Sequence, residues 1–234
     1  MRYLAIAVTI TFVVAMPASA QLDEKVADRF WESTKILEQL ISAPDGGIPQ
    51  DLLRRSECVG VIPAVKRAAF GFGGRYGRGL VVCRKDGGAG PWGSPSMLSV
   101  SGGSFGFQIG GQSTDVLMLF VTPDSIDHLL RDQLTLGVDV SVAAGPKGRT
   151  VSAETSATLR AEILTYGRSR GLFAGISVEG AVLKPDTEAN ENLYGGAVDA
   201  RELLIDGKIS IPGPAQTFID TLTELAAREE SAGE

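Results

Sequence analysis

The side chains able to do chemistry in this sequence are few, and their spacing excludes more than it suggests. His128 is the only histidine, in a short segment after Pro123 with Asp124, Asp127 and Asp132 around it. A serine–histidine–acid triad needs a histidine held against a nucleophile, and no Gly-x-Ser-x-Gly sequence marks one. One histidine and two cysteines fall short of the common zinc sites. Gly71-Phe72-Gly73-Gly74-Arg75-Tyr76-Gly77 is glycine-rich like a phosphate loop. Yet Tyr76 stands where a dinucleotide fold needs its third glycine, and no Gly-Lys-Ser/Thr triplet follows. No cofactor is expected, and the chain reads as a binding protein rather than an enzyme. A hydrolase is the weakest alternative.

What remains is charge and sulfur. A net charge of -6 argues against a nucleic-acid binder. The balance is uneven: Asp51 to Lys85 carries eight basic residues against Asp51 and Glu57, whereas Asp186 to Glu234 carries eleven acidic residues against three basic ones. Two readings stay open, a pair of solvated faces that keep the protein soluble or a basic surface that attracts an anionic partner. Cys58 and Cys83 are an even pair, and the preferred reading is a disulfide worth roughly 3 kcal/mol through its closed loop. Two buried thiols are the alternative.

The surrounding elements follow from periodicity. Leu22 to Ile41 has helical spacing, with Leu22, Val26, Phe30, Leu37, Leu40 and Ile41 near one side. Pro49 opens a short helix through about Glu57. From Val59 the period becomes two: Tyr76, Arg78 and Leu80 alternate with glycines, Phe105, Phe107 and Ile109 with small residues, and Val138, Val140 and Val142 with Asp139 and Ser141. A further strand is expected from Phe173 to Val182, and the apolar run Val116 to Val121 fits a strand buried on both faces. Asp86 to Pro91 and Gly145 to Gly148 read as hairpin loops. Thr122-Pro123 starts a helix, Asp199 and Glu202 have capping-box spacing, and Pro214 opens a last amphipathic helix. The implied class is α+β, an antiparallel sheet or barrel-like core flanked by N- and C-terminal helices. Glycine and alanine line one face of several strands, which permits either close packing of a helix or a groove for an apolar chain.

At the N-terminus, Arg2 precedes the apolar run Leu4 to Ala15, and Pro17 and Ala18-Ser19-Ala20 follow. The pattern predicts a secretory signal peptide over residues 1–20 and an exported, periplasmic or extracellular protein. A helix and linker then occupy 21–47, the main domain 48–195 and a helical extension 196–234.

Five segments in order resemble the SYLF-domain family, a lipid-binding domain. They are Val59 to Lys66 with Gly71 to Gly79, Trp92-Gly93-Ser94-Pro95-Ser96, Gly106 to Asp115, Tyr166 to Gly180, and Asn192-Leu193-Tyr194-Gly195. The resemblance implies lipid binding without catalysis, phosphoinositides being ligands of eukaryotic members and actin filaments of yeast ones. It also implies an N-terminal amphipathic helix that engages membrane. Here Leu22 to Ile41 carries five acids against three bases, which disfavours anionic lipid. The basic stretch is the better candidate, with Lys66, Arg67, Arg75 and Arg78 contacting headgroups, although Arg75 and Arg78 can fall on opposite faces of one strand. Combined with the leader, the resemblance predicts a bacterial exported member that binds a lipid or membrane surface. The rival is a structural or protein-interaction module of the cell envelope.

Overall fold

Residues Cys58–Phe70 form one long strand, β1, at the centre of a curled sheet. The computed structural model describes residues 24–227 apart from 44–46, 71, 106–109, 132, 147–159, 170–171 and 176–177. The expected leader, the start of the Gly106 to Asp115 segment with Phe107 and Ile109, part of the Tyr166 to Gly180 segment and part of the Gly145 to Gly148 loop lie outside the described residues. The other strands are β2 (Phe72–Cys83), β3 (Ser96–Phe105), β4 (Gly110–Phe120), β5 (Leu134–Thr135), β6 (Val142–Ala144), β7 (Ile163–Ser169), β8 (Leu172–Gly175) and β9 (Val182–Pro185). The helices are α1 (Glu24–Ile41), α2 (Gln50–Arg55), α3 (Pro123–Leu129), α4 (Thr187–Tyr194), α5 (Ala200–Leu204) and α6 (Gln216–Ala227).

The order across the sheet is β5-β9-β3-β2-β1-β4-β7-β6, with β8 also paired to β7. Every pairing is antiparallel except β6 with β7. The class is the expected α+β, a half-barrel-like antiparallel sheet flanked by N- and C-terminal helices.

Alternation along the central strands creates two cores. Val59, Val61, Leu80, Val82, Leu117 and Leu119 face Phe30 and Leu37 of α1 and Phe218 and Leu222 of α6. Ile62, Val81, Val100, Met118 and Phe120 face the opposite way, toward Leu134, Leu136, Val178 and Leu183. The apolar periodicity of α1 is therefore spent on the helix-side core.

A β-bulge between Val61 and Lys66 links the two halves of β1. Ala64 sits in it with φ 47°, a left-handed conformation uncommon outside glycine. Across from the bulge, a Cβ on Gly79 would lie 2.1 Å from the Val61 carbonyl oxygen and 2.7 Å from Ile62 Cα. Only glycine fits where the two backbones come this close.

The helix ends follow local chemistry. The Thr122 hydroxyl accepts from Ser125 N ahead of Pro123, Asp186 accepts from Ala189 N at the start of α4, and Asp199 accepts from Arg201 N at the start of α5.

Two expected strands are interrupted. Val138 to Val142 does not run on as one strand: Gly137 has φ 80° and the Asp139 carboxylate accepts from Thr135 N at 2.6 Å. The chain turns there, which leaves Val138 77% exposed. Phe173 to Val182 likewise divides into β8 and β9, with Gly180 at φ 71° turning the chain ahead of β9. Alternating apolar residues carry the same signal whether or not a side chain caps a turn between them.

Gly79→Ala is expected to destabilise the fold by more than about 3 kcal/mol, because backbone must move to admit the methyl group. Gly103→Ala, where nothing lies within 4 Å of the new carbon, is expected to stay within about 0.5 kcal/mol of the parent. Urea denaturation of both variants checks this; equal costs would contradict it.

Candidate functional site

The four central strands are buried at one end and open at the other. Lys66, Arg67, Ala68, Gly74, Tyr76, Arg78, Gly103 and Gly111 are all exposed. A Cβ on Gly103 or Gly111 would meet nothing within 4 Å, so packing does not demand glycine at either position. At Gly60 and Gly77, by contrast, it would press on Met118 at 3.1 Å and on Ile62 at 2.9 Å. Close packing thus accounts for the glycines near the core, and open space surrounds Gly103 and Gly111.

One cross-strand row at this end reads Gly102, Arg75, Arg67, Gln112 across β3, β2, β1 and β4. Arg67 and Arg75 are direct neighbours. Like charges directly opposite each other destabilise a sheet, and neither arginine has an ion pair or hydrogen bond among the described residues. Arg75 is half-buried, and its Nε is sealed from solvent without a hydrogen-bond partner. Burial first, and the charge of Arg67 second, push the Arg75 guanidinium down from its ordinary value. Both arginines border a cavity of about 140 Å³ whose apolar wall includes Ile62, Val100, Val116, Met118 and Leu136.

Lys66 and Arg78 belong to the other face. Lys66 stands opposite Tyr76 in the register. Arg78 Nε donates to the Tyr76 hydroxyl at 2.6 Å and lies 3.5 Å from Asp186 Oδ2. Asp186 is buried, also pairs with Arg29 of α1 at 3.5 Å and caps α4. The basic stretch and the acidic C-terminal stretch therefore meet at one carboxylate. Of the four expected headgroup contacts, the structure brings Arg67 and Arg75 together and directs Lys66 and Arg78 elsewhere.

Gln112 and Thr114, which sequence reading passed over, complete the polar rim of the cavity. Their signal was available: both share the parity of Val116 and Met118 on β4. Asp115, on the alternate face, accepts from Ala64 N at 2.9 Å and from Arg168 Nε and Nη2 at 3.0 and 2.7 Å. It ties the bulge of β1 to β7.

Other singled-out residues serve the frame. The Tyr194 hydroxyl donates to the Pro95 carbonyl, Ser94 Oγ donates to Ile209 O at 2.6 Å, and Asn190 Oδ1 accepts from Met97 N at 2.7 Å. Cys58 and Cys83 are register partners with Cα atoms 4.0 Å apart and sulfurs at 1.99 Å. His128 lies in α3, and the residues that line the cavity do not include it.

Residues 101–225 match the family model Ysc84, described as Las17-binding protein actin regulator. The chain belongs to the Ysc84 family. It is 36% identical over 215 residues to LAS seventeen-binding protein 3 of Saccharomyces cerevisiae, covering 90% of this chain and 46% of that one. It is 30% identical over 212 residues to SH3 domain-containing YSC84-like protein 1 of Homo sapiens, covering 90% and 60% respectively. The chain spans about half the length of the curated relatives it matches. The Ysc84 match reaches α6, past the boundary at 195 expected from sequence. Members of the family are binding and regulatory proteins rather than enzymes.

The comparisons overturn the expected setting. A bacterial, exported member working in the periplasm, outside the cell or in the envelope does not agree with a family described as an actin regulator, whose matched relatives come from yeasts and mammals. That placement, and the envelope partner built on it, are withdrawn. They rested on the composition of residues 1–20 alone, and an apolar run with small residues after it says nothing about the fold that follows.

Asp115→Ala is expected to cost about 2 kcal/mol, since it removes a charge-assisted pair and the acceptor for the bulge amide. Asp115→Asn, which keeps an acceptor, should cost less. Urea midpoints of the two variants test the order; an unchanged midpoint for Asp115→Ala would show that the bulge holds without it.

Proposed function

We propose that this chain is a lipid-binding module of the Ysc84 family that docks on anionic headgroups through the exposed end of its sheet. The observation that carries this reading is the Arg67–Arg75 pair: two adjacent cations with no counter-ion among the described residues, on the rim of an apolar cavity. An anionic headgroup supplies the missing charge, and the open glycines Gly103 and Gly111 let a surface approach the strands closely.

The N-terminal helix is a poorer candidate. Val26, Phe30, Leu37 and Leu40 of α1 are buried in the helix-side core. Inserting them into a bilayer would open that core. Lys66 adds general attraction from the same strand end. Arg78, tied to Asp186, contributes to the fold.

Each Lys or Arg near an anionic surface is worth about 1 kcal/mol, or roughly fivefold in affinity. Co-sedimentation with phosphatidylserine-containing vesicles should therefore occur at low salt and weaken as salt rises. Arg67→Ala and Arg75→Ala should each lower binding about fivefold, whereas Arg78→Ala should chiefly lower stability. A protein that stays in the supernatant with every lipid composition would contradict the function; unchanged binding of both arginine variants would contradict the site.

A further inference from the structure

The cavity behind the arginine row sets two demands at once. Its wall is apolar, with Ile62, Val100, Val116 and Met118 against Leu136 and Val178, while Arg67 and Arg75 stand at its polar rim. An apolar cavity of about 150 Å³ accepts a benzene-sized guest, so about 140 Å³ here has room for about six carbons. A purely apolar guest would leave two neighbouring arginines with no counter-charge among the described residues. An inorganic anion would compensate them and leave the wall uncovered. A molecule with an anionic head and one alkyl segment meets both demands.

We infer that the cavity is a binding site for a single-chain anionic amphiphile, an alkyl phosphate or carboxylate with its head at Arg67 and Arg75 and its first carbons inside. The inference rests on the headgroup reading and adds that one chain enters the protein. Gln112 and Thr114 stand beside the head as polar neighbours. Gly102 keeps the wall thin beside Arg75: a Cβ there would lie 3.4 Å from Arg75 Cγ and 3.0 Å from the Gly180 carbonyl oxygen.

Calorimetric titration of the full chain with inorganic phosphate and then with butyl, hexyl, octyl and decyl phosphate, each below its micelle concentration, tests this. Affinity should rise about fourfold per methylene and level off once about six carbons are inside. Val116→Phe, which fills the cavity, should flatten the series, and Arg75→Gln should weaken every member alike. Equal affinity for inorganic phosphate and hexyl phosphate would overturn the inference, as would a rise that continues undiminished to decyl phosphate. The wild-type series decides the matter even if Val116→Phe fails to fold. A parallel series of alkyl carboxylates separates a phospholipid-like from a fatty-acid-like ligand, and a plateau with either head supports the site. Vesicle binding by the wild type without chain-length dependence would remove the cavity ligand and leave the surface reading standing. Chain-length dependence without vesicle binding would do the reverse.

Discussion

The bulge in β1 is the constraint on which the rest of the molecule turns. Strict alternation from Val61 would place Arg67 on the helix side of the sheet. The extra residue at Pro63-Ala64 reverses the parity, so that Ile62, Val65 and Arg67 all border the cavity. Ala64 holds an unfavourable φ of 47° to do so, and Asp115, braced by Arg168, supplies the hydrogen bond that keeps it there. Opposite, Gly79 lets β2 close on the bend. A change of one residue in register thus decides which charges share a surface.

The same parity gives two arginines of β2 different tasks. Arg78, three positions after Arg75, reaches the buried Asp186 and with Arg29 ties α1, β2 and the start of α4 together. Arg75 is left beside another cation. A fold that sets one arginine on a buried carboxylate and gives its neighbour no counter-ion among the described residues concentrates positive charge at a single place. That place is also where the second core falls short of filling its space.

Much of this was legible in the sequence. The alternation of Tyr76, Arg78 and Leu80 in β2, the apolar run of β4, the proline and threonine helix start before Ser125, the two terminal amphipathic helices and the α+β class all follow from residue pattern. The bulge was not, because Ile62-Pro63-Ala64 is apolar throughout and gives no break in periodicity. The turn at Gly137 was hidden by the valines around it, and α4 was read only as part of a motif. The arginine row needed the register of three strand pairings, which composition does not contain. Gln112 and Thr114 could have been found by extending the parity of Val116 down β4. The compartment expected from residues 1–20 was a separate matter: it came from composition and gave way to the family comparison.

Hydrogen–deuterium exchange of the full chain, free and on anionic vesicles, tests the central claim most directly. If the arginine row is the docking surface, protection appears along the exposed ends of β1 and β2, around Arg67 and Arg75, and along the facing residues of β3 and β4, while α1 and α6 exchange as in the free protein. Protection confined to α1, with the arginine row unchanged, would contradict the account.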